Sequence, residues 1–335
     1  MQPHLTFACE LETHALQALF SDSSVVDDLR TVEASVALGI LDLSPERAAV
    51  ARDLNRAGIP LTAWLLLSEE DGYWFNLGNA REARQRYDEF RAWSDEHDLH
   101  WQGIGLDIEP DKRELHSLLS RNWSQALPGL IHRALDGQGL QRAQSEYAAL
   151  VSRIRADGYH VTSYVLPFIL DERTAGSTLL RRCAGLVDLS VDTEVVMLYS
   201  SFVRPGGEGI LWSYAPQAQV IGVGSTGGGV EIEGLGDPRP LNWDEFSRDL
   251  RLANRWSDDL FVFSLEGCAG QGFLTGLRTF DWDQPVSPPL DAARRADRVR
   301  QGFRAVLWAS AHPLVLVLAL AATAGLFRRR RRSRN

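Results

Sequence analysis

Eight short apolar runs recur along the sequence, and most are separated by enough chain for a helix. They are LTFACEL (5–11), EASVALGIL (33–41), LTAWLLLS (61–68) and WQGIGLDIE (101–109), then HVTSYVLPF (160–168), VVMLYSS (195–201), QVIGVGS (219–225) and LFVFSLEG (260–267). Most are nearly continuous in apolar side chains, whereas a strand with one wet face would alternate. Strands of this kind are covered on both faces, as in a parallel sheet, and parallel neighbours need long crossovers. Helical patterns fill many of those crossovers. SPERAAVARDLNRAG (44–58) opens on a serine and stops at Gly58, AREARQRYDEFRAWSDEH (80–97) is amphipathic, and QRAQSEYAALVSRIRADG (141–158) ends in glycine. STLLRRCAGL (177–186) and WDEFSRDLRLANRW (243–256) play the same part later, while the stretch after the sixth run is poor in helix signal. Eight strand–helix units predict an α/β chain folded as a (β/α)8 TIM barrel, whose usual length is about 250 residues. The alternative is a doubly wound open sheet, but the first run leads into ELETH and not into a glycine-rich phosphate turn.

The 335 residues are 44% hydrophobic and 24% charged, the mix of a folded globular chain. The formal net charge of -9 is unevenly spread. Residues 291–335 hold eleven Arg and two Asp, which leaves a net of -18 on residues 1–290. An acidic body of this kind argues against nucleic acid as a partner. Cys9, Cys183 and Cys268 offer neither a disulfide framework nor a metal-binding spacing. The opening MQPHLTFACELETH lacks the basic and apolar regions of a signal peptide. Near the other end, AVLWASAHPLVLVLALAATAGLF (305–327) has no Asp, Glu, Lys or Arg and is long enough to cross a ~30 Å hydrocarbon layer as a helix. It predicts a single C-terminal anchor, with the lipid bilayer as a partner. Five Arg precede this segment and six follow it. The balance points to a cytoplasmic C-terminus and a barrel on the cell-surface or periplasmic face. The expected organisation is a barrel over 1–280, a linker and basic juxtamembrane segment over 281–304, a transmembrane helix over 305–327 and a polyarginine tail over 328–335.

In a barrel, alternate strand residues point inward, and chemistry gathers at the C-terminal strand ends. In the fourth run, Ile104, Leu106 and Ile108 share the face suited to the helices, and Gly103, Gly105, Asp107 and Glu109 share the other. Both carboxylates therefore point into the barrel mouth above two glycines. The same parity turns Thr6, Ala8 and Glu10 inward in the first run and puts Val195, Met197 and Tyr199 on one face of the sixth. In the eighth it sends Phe261, Phe263 and Leu265 outward and Val262, Ser264 and Glu266 inward. Acids crowded at one mouth raise the pKa of at least one of them, which makes a proton donor near neutral pH. Aromatics are expected in the loops above, at Tyr73 and Trp74 after the third run and Trp212 after the sixth, with Tyr164 of the fifth run joining them as a substrate contact. Flat aromatic faces suit sugar rings. GSTGGG (224–229) lacks a P-loop lysine and a clear following helix, so it reads as a flexible loop.

QGIGLDIE (102–109) resembles the strand-four signature D-G-x-D-x-D-x-E of glycoside hydrolase family 18, the chitinase-like barrels. Asp107 and Glu109 match its last two acids, while Gln102 and Gly105 replace the first two. MLYS (197–200) resembles that family's M-x-Y-D, with Ser200 in place of the final Asp. The resemblance implies a TIM barrel acting on a carbohydrate substrate without a cofactor. It implies Glu109 as the acid that protonates the glycosidic oxygen, Asp107 as the carboxylate that orients an N-acetyl group and Tyr199 as its support. Glu266 also leaves a two-carboxylate mechanism open.

The residues thus point to a glycoside hydrolase-like enzyme with catalytic candidates Glu109, Asp107, Tyr199 and Glu266. The candidate substrate contacts are Glu10, Tyr73, Trp74, Tyr164 and Trp212. One alternative is a glycan-binding barrel without turnover. Another is a hydrolase whose Glu10, Asp107, Glu109 and Glu266 ligate Mg or Ca.

Overall fold

The computed structural model of the chain describes residues 2–113, 129, 132–229 and 239–313. Eight parallel strands close into a barrel in sequence order. They are β1 (His4–Cys9), β2 (Ser35–Ile40), β3 (Leu61–Leu65), β4 (Gly103–Ile108), β5 (His160–Val165), β6 (Thr193–Met197), β7 (Val220–Gly224) and β8 (Asp259–Phe263). Each of the eight apolar runs thus overlaps a strand. Helices α1 (Thr13–Ser21) and α2 (Ser23–Thr31) follow β1, α3 (Pro45–Arg56) follows β2, α4 (Ala80–Glu96) follows β3 and α5 (Gly137–Ala156) precedes β5. Next come α6 (Phe168–Ala175) and α7 (Leu179–Ala184) after β5, α8 (Gly207–Tyr214) after β6 and α9 (Trp243–Ala253) before β8. The chain closes with α10 (Leu265–Gly270), α11 (Phe273–Leu277) and α12 (Leu290–Ala311). The caps follow the sequence: Ser44 accepts from the Arg47 amide at the start of α3, and Asn242 and Glu245 form a reciprocal capping box on α9.

Burial on both faces of the sheet produces two apolar layers. The outer one joins Leu5 and Phe7 of β1 and Ile104, Leu106 and Ile108 of β4 to helix residues such as Tyr87 and Phe90. The inner one fills the barrel with Ala8, Ala37, Trp64, Tyr164, Val195, Met197 and Phe261. The parity expected for β1, β4 and β6 holds. In β8 it is reversed: Phe261 lies inside, with Phe263 packed against the inner layer, and Val262 belongs to the outer layer, while Leu265, past the strand in α10, lies in the outer layer as expected. The cause is register. Phe261 and Phe263 pair with Thr6 and Ala8 of β1 on one side and with Gly222 and Gly224 of β7 on the other. Those small inward positions leave room for two rings. Glu266 consequently reaches the mouth from the first turn of α10 and not from the strand.

Trp212 lies on α8, where a loop was expected. Glycines conceal this helix in the sequence, and close packing requires them. A Cβ at Gly207 would sit 2.1 Å from the Ser200 carbonyl oxygen, and one at Gly209 would sit 2.4 Å from the Ala292 backbone of α12.

The C-terminal expectation needs correcting. Ala305–Ala311, the start of the expected membrane helix, are instead the end of α12, an Arg-rich helix packed along α6 and α8. The helix stops before His312, a residue turned away from helical conformation by Pro313. Arg300 of α12 is buried. Its Nη2 donates to Oδ1 of the fully buried Asp171 at 2.9 Å, and its guanidinium lies 3.5 Å from the Tyr214 ring centre. Arg304 Nε donates to the same oxygen at 2.7 Å, and the Tyr214 hydroxyl donates to Oδ2. Among the described residues, no helix is long and apolar enough to cross a membrane. The rest of the expected span and the polyarginine tail, residues 314–335, lie outside the described residues.

Candidate active site at the C-terminal barrel mouth

Asp107, next to last in β4, pairs with Tyr164 of β5 and is 2% exposed. The chain beyond it is held in place by the loop after β3. The Phe75 amide donates to the Asp107 carbonyl at 2.9 Å, and the Glu109 amide donates to the Phe75 carbonyl at 3.3 Å. This parallel bridge extends β4 by one rung, fixes Glu109 at the mouth and brings Tyr73 and Trp74 over the barrel. Both aromatics are buried, packed edge to face with ring centres 5.3 Å apart. The Tyr73 hydroxyl donates to Glu10 Oε1 at 2.8 Å. The Glu10 amide in turn donates to Glu266 Oε1 at 3.4 Å. Tyr199, just past β6, stacks on Phe263 at 5.6 Å.

The electrostatics tie these groups together. Burial first, then the charges of Glu109 and Glu10, hold the Asp107 carboxyl well above its usual range. The Trp64 indole lies near enough to oppose that shift, but without hydrogen-bond alignment: Trp64 Nε1 and Asp107 Oδ1 both lack a partner among the described residues. Glu109 is partly exposed, and desolvation pushes its carboxyl up to about 7. The Tyr199 hydroxyl is raised well above normal by burial and then by Asp107 and Glu109. Burial also raises Glu266, against the amides of Glu10 and Gly229, and its Oε2 has no partner among the described residues.

The structure therefore brings Glu10, Tyr73, Asp107, Glu109, Tyr199 and Glu266 together. Tyr164 lies one layer deeper, with its ring centre 5.8 Å from Trp64 and 4.8 Å from Phe261. Trp212 is not part of the site; it packs edge to face with Trp256, ring centres 5.4 Å apart, in the helix layer. Two contributors escaped the sequence reading. Trp64 shares inward parity with Thr62 and Leu66, a signal that was available. The glycine loop gave no such signal. Gly227, Gly228 and Gly229 all have positive φ, and a Cβ on Gly228 or Gly229 would come within 2.5 Å of Glu266 or 3.1 Å of Glu10. The segment read as a flexible loop is thus a wall of backbone laid on two carboxylates. Among the described residues no group of three or more His, Cys, Asp or Glu side chains is placed to hold a metal ion. The arrangement can hold a proton at Glu109 near neutral pH and deliver it to an oxygen in the mouth.

No protein-family model matches the chain, and no curated protein matches it. Among solved structures it is similar to the glycoside hydrolase domain of PgaB (BpsB) from Bordetella bronchiseptica, with 11% identity over 83% of this chain and 98% of that one and a TM-score of 0.49. It is also similar to D-psicose 3-epimerase in the presence of D-fructose, with 14% identity over 92% and 99% and a TM-score of 0.40. A xylose isomerase-like TIM barrel protein from Mycobacterium smegmatis in complex with magnesium shows 10% identity over 83% and 97% and a TM-score of 0.43. These likenesses concern the barrel, and none of them assigns the chain to glycoside hydrolase family 18.

Proposed function

We propose that this barrel is an enzyme that cleaves a glycosidic bond in a glycan, with Glu109 as general acid and base. The observation that carries the reading is a carboxyl pushed up to about 7 at the C-terminal mouth, in electrostatic reach of a second carboxyl at Asp107, itself raised by burial, and of a buried Tyr199. Glu109 donates its proton to the leaving oxygen. Asp107 and Tyr199 orient the reacting sugar, and Glu266, anchored by the Glu10 amide, supplies a further carboxyl. Tyr73 holds Glu10 in place as a substrate contact.

One observation favours a second reading, glycan binding without turnover. Where the resembled family carries another aspartate, a Cβ on Gly105 would lie 2.7 Å from the Tyr164 hydroxyl, so the phenol occupies that space. A single experiment separates the two. Wild type and Glu109→Gln are assayed against a glycan panel for cleavage and for binding. The expected result is cleavage by wild type, a loss of about 10²- to 10⁴-fold in kcat for the variant, and binding retained by both. Equal cleavage rates would overturn the role of Glu109, and binding with no cleavage by wild type would establish the second reading.

A further inference from the structure

A cavity of about 360 Å³ lies at the opposite end of the barrel, among the N-terminal strand residues. Its size falls within the roughly 300–1,000 Å³ of small-molecule sites, and it has room for about ten waters at ~30 Å³ each. Its wall carries hydroxyls from inward residues near the starts of five strands: Thr6, Ser35, Thr62, Thr162 and Thr193. Register explains the arrangement, because Thr6 pairs with Ser35, Thr62 with Gly103, and Thr162 with both Gly105 and Thr193. Two members are already engaged. Ser35 Oγ lies 3.0 Å from His4 Nε2, and Thr193 Oγ1 lies 2.7 Å from His160 Nε2. No hydrogen bond among the described residues engages the hydroxyls of Thr6, Thr62 and Thr162. The inner end of the cavity is aromatic, formed by Tyr164 and Phe261.

We infer that this floor cavity is a second binding site, for a neutral polyhydroxylated molecule of monosaccharide size. Each free threonine hydroxyl can both donate and accept, which matches the hydroxyls of a polyol. The aromatic end offers an apolar face for its C–H groups. Charge argues against an anion, since Asp259 stands on the rim 3.5 Å from His4. At Gly103 a Cβ would fall 2.6 Å from the His160 carbonyl oxygen, so strand packing keeps this point of the wall free of a side chain. Tyr164 separates the floor from the mouth: it lines the cavity, and its hydroxyl is raised by burial and then by Asp107.

The test uses the full chain and two probes, D-glucose and myo-inositol, with binding followed by saturation-transfer NMR and calorimetry. Saturable binding of at least one probe is expected. It should weaken about tenfold in Thr62→Val/Thr162→Val, which keeps shape and removes two hydroxyls. Thr62→Ser/Thr162→Ser should retain it, which separates lost hydrogen bonds from a disturbed fold. Glu109→Gln should leave it unchanged, so the outcome is independent of chemistry at the mouth. No saturable binding of either probe would mean a cavity filled by water alone and would overturn the site. Equal binding by the Val and Ser pairs, or loss in Glu109→Gln, would overturn it as well.

Discussion

Glu109 couples stability to pH as well as carrying the proposed proton transfer. Its carboxyl is raised from an ordinary 4.5 to about 7 by desolvation. Between these values the unfolded chain has released the proton while the folded one still holds it, so the native state binds more protons and stability falls as pH rises. Asp107 and Glu266 are raised too and act in the same direction. Replacing Glu109 with glutamine removes its share of the cost. Glu109→Gln is expected to be more stable than wild type by on the order of 2 kcal/mol at about pH 8 and indistinguishable from it at about pH 4, as measured by urea unfolding. The same titration shapes the rate. A general acid must be protonated, so wild-type kcat should fall as pH rises through about 7, and this limb should be preserved in Asp107→Asn because burial, not Asp107, raises Glu109. Loss of the limb in that variant would show that the two carboxyls set it jointly.

At the level of elements, the weight falls on α12. Asp171 is fully buried and receives Arg300, Arg304 and the Tyr214 hydroxyl, so the clasp works only while the helix is docked. Removing one partner of a buried pair leaves an uncompensated charge. Arg300→Ala is expected to destabilise the fold by about 3 kcal/mol, and hydrogen exchange should show the amides of α12 opening first. The eight strands are legible in the sequence because two-sided burial writes each as a continuous apolar run. That same continuity hides the parity of LFVFSLEG. Both of its faces are apolar, and only pairing with Gly222 and Gly224 decides that Phe261 turns inward. The acids of β4 are easier, because glycines and carboxylates alternate with isoleucine and leucine. Gly209 of α8 and Gly228 read as breakers when each owes its place to a distant neighbour, Ala292 in one case and Glu266 in the other. Local sequence carries no trace of such partners.

For the whole molecule, the docked α12 changes where the folding unit ends. The sequence suggests a barrel complete by residue 280, but Arg300 and Leu307 are buried in contacts that belong to the barrel's own helix layer. A chain ending at residue 289 would leave Asp171 without its two arginines and uncover the sides of α6 and α8. It is expected to unfold at lower denaturant than the full chain, and an unchanged midpoint would show that α12 is an accessory. The path of this helix is also directional. Ala292 touches Gly209 near the start of α8, and Ser310 lies 3.3 Å from Ser177, just beyond the end of α6. Because α6 starts where β5 ends and its Arg173 reaches Glu194 at the start of β6, α12 runs from the carboxylate end of the barrel towards the floor. A bead or chip coupled through the last described residues would therefore grip the molecule from below. The mouth that carries Asp107 and Glu109 would look away from the support, open to the solution.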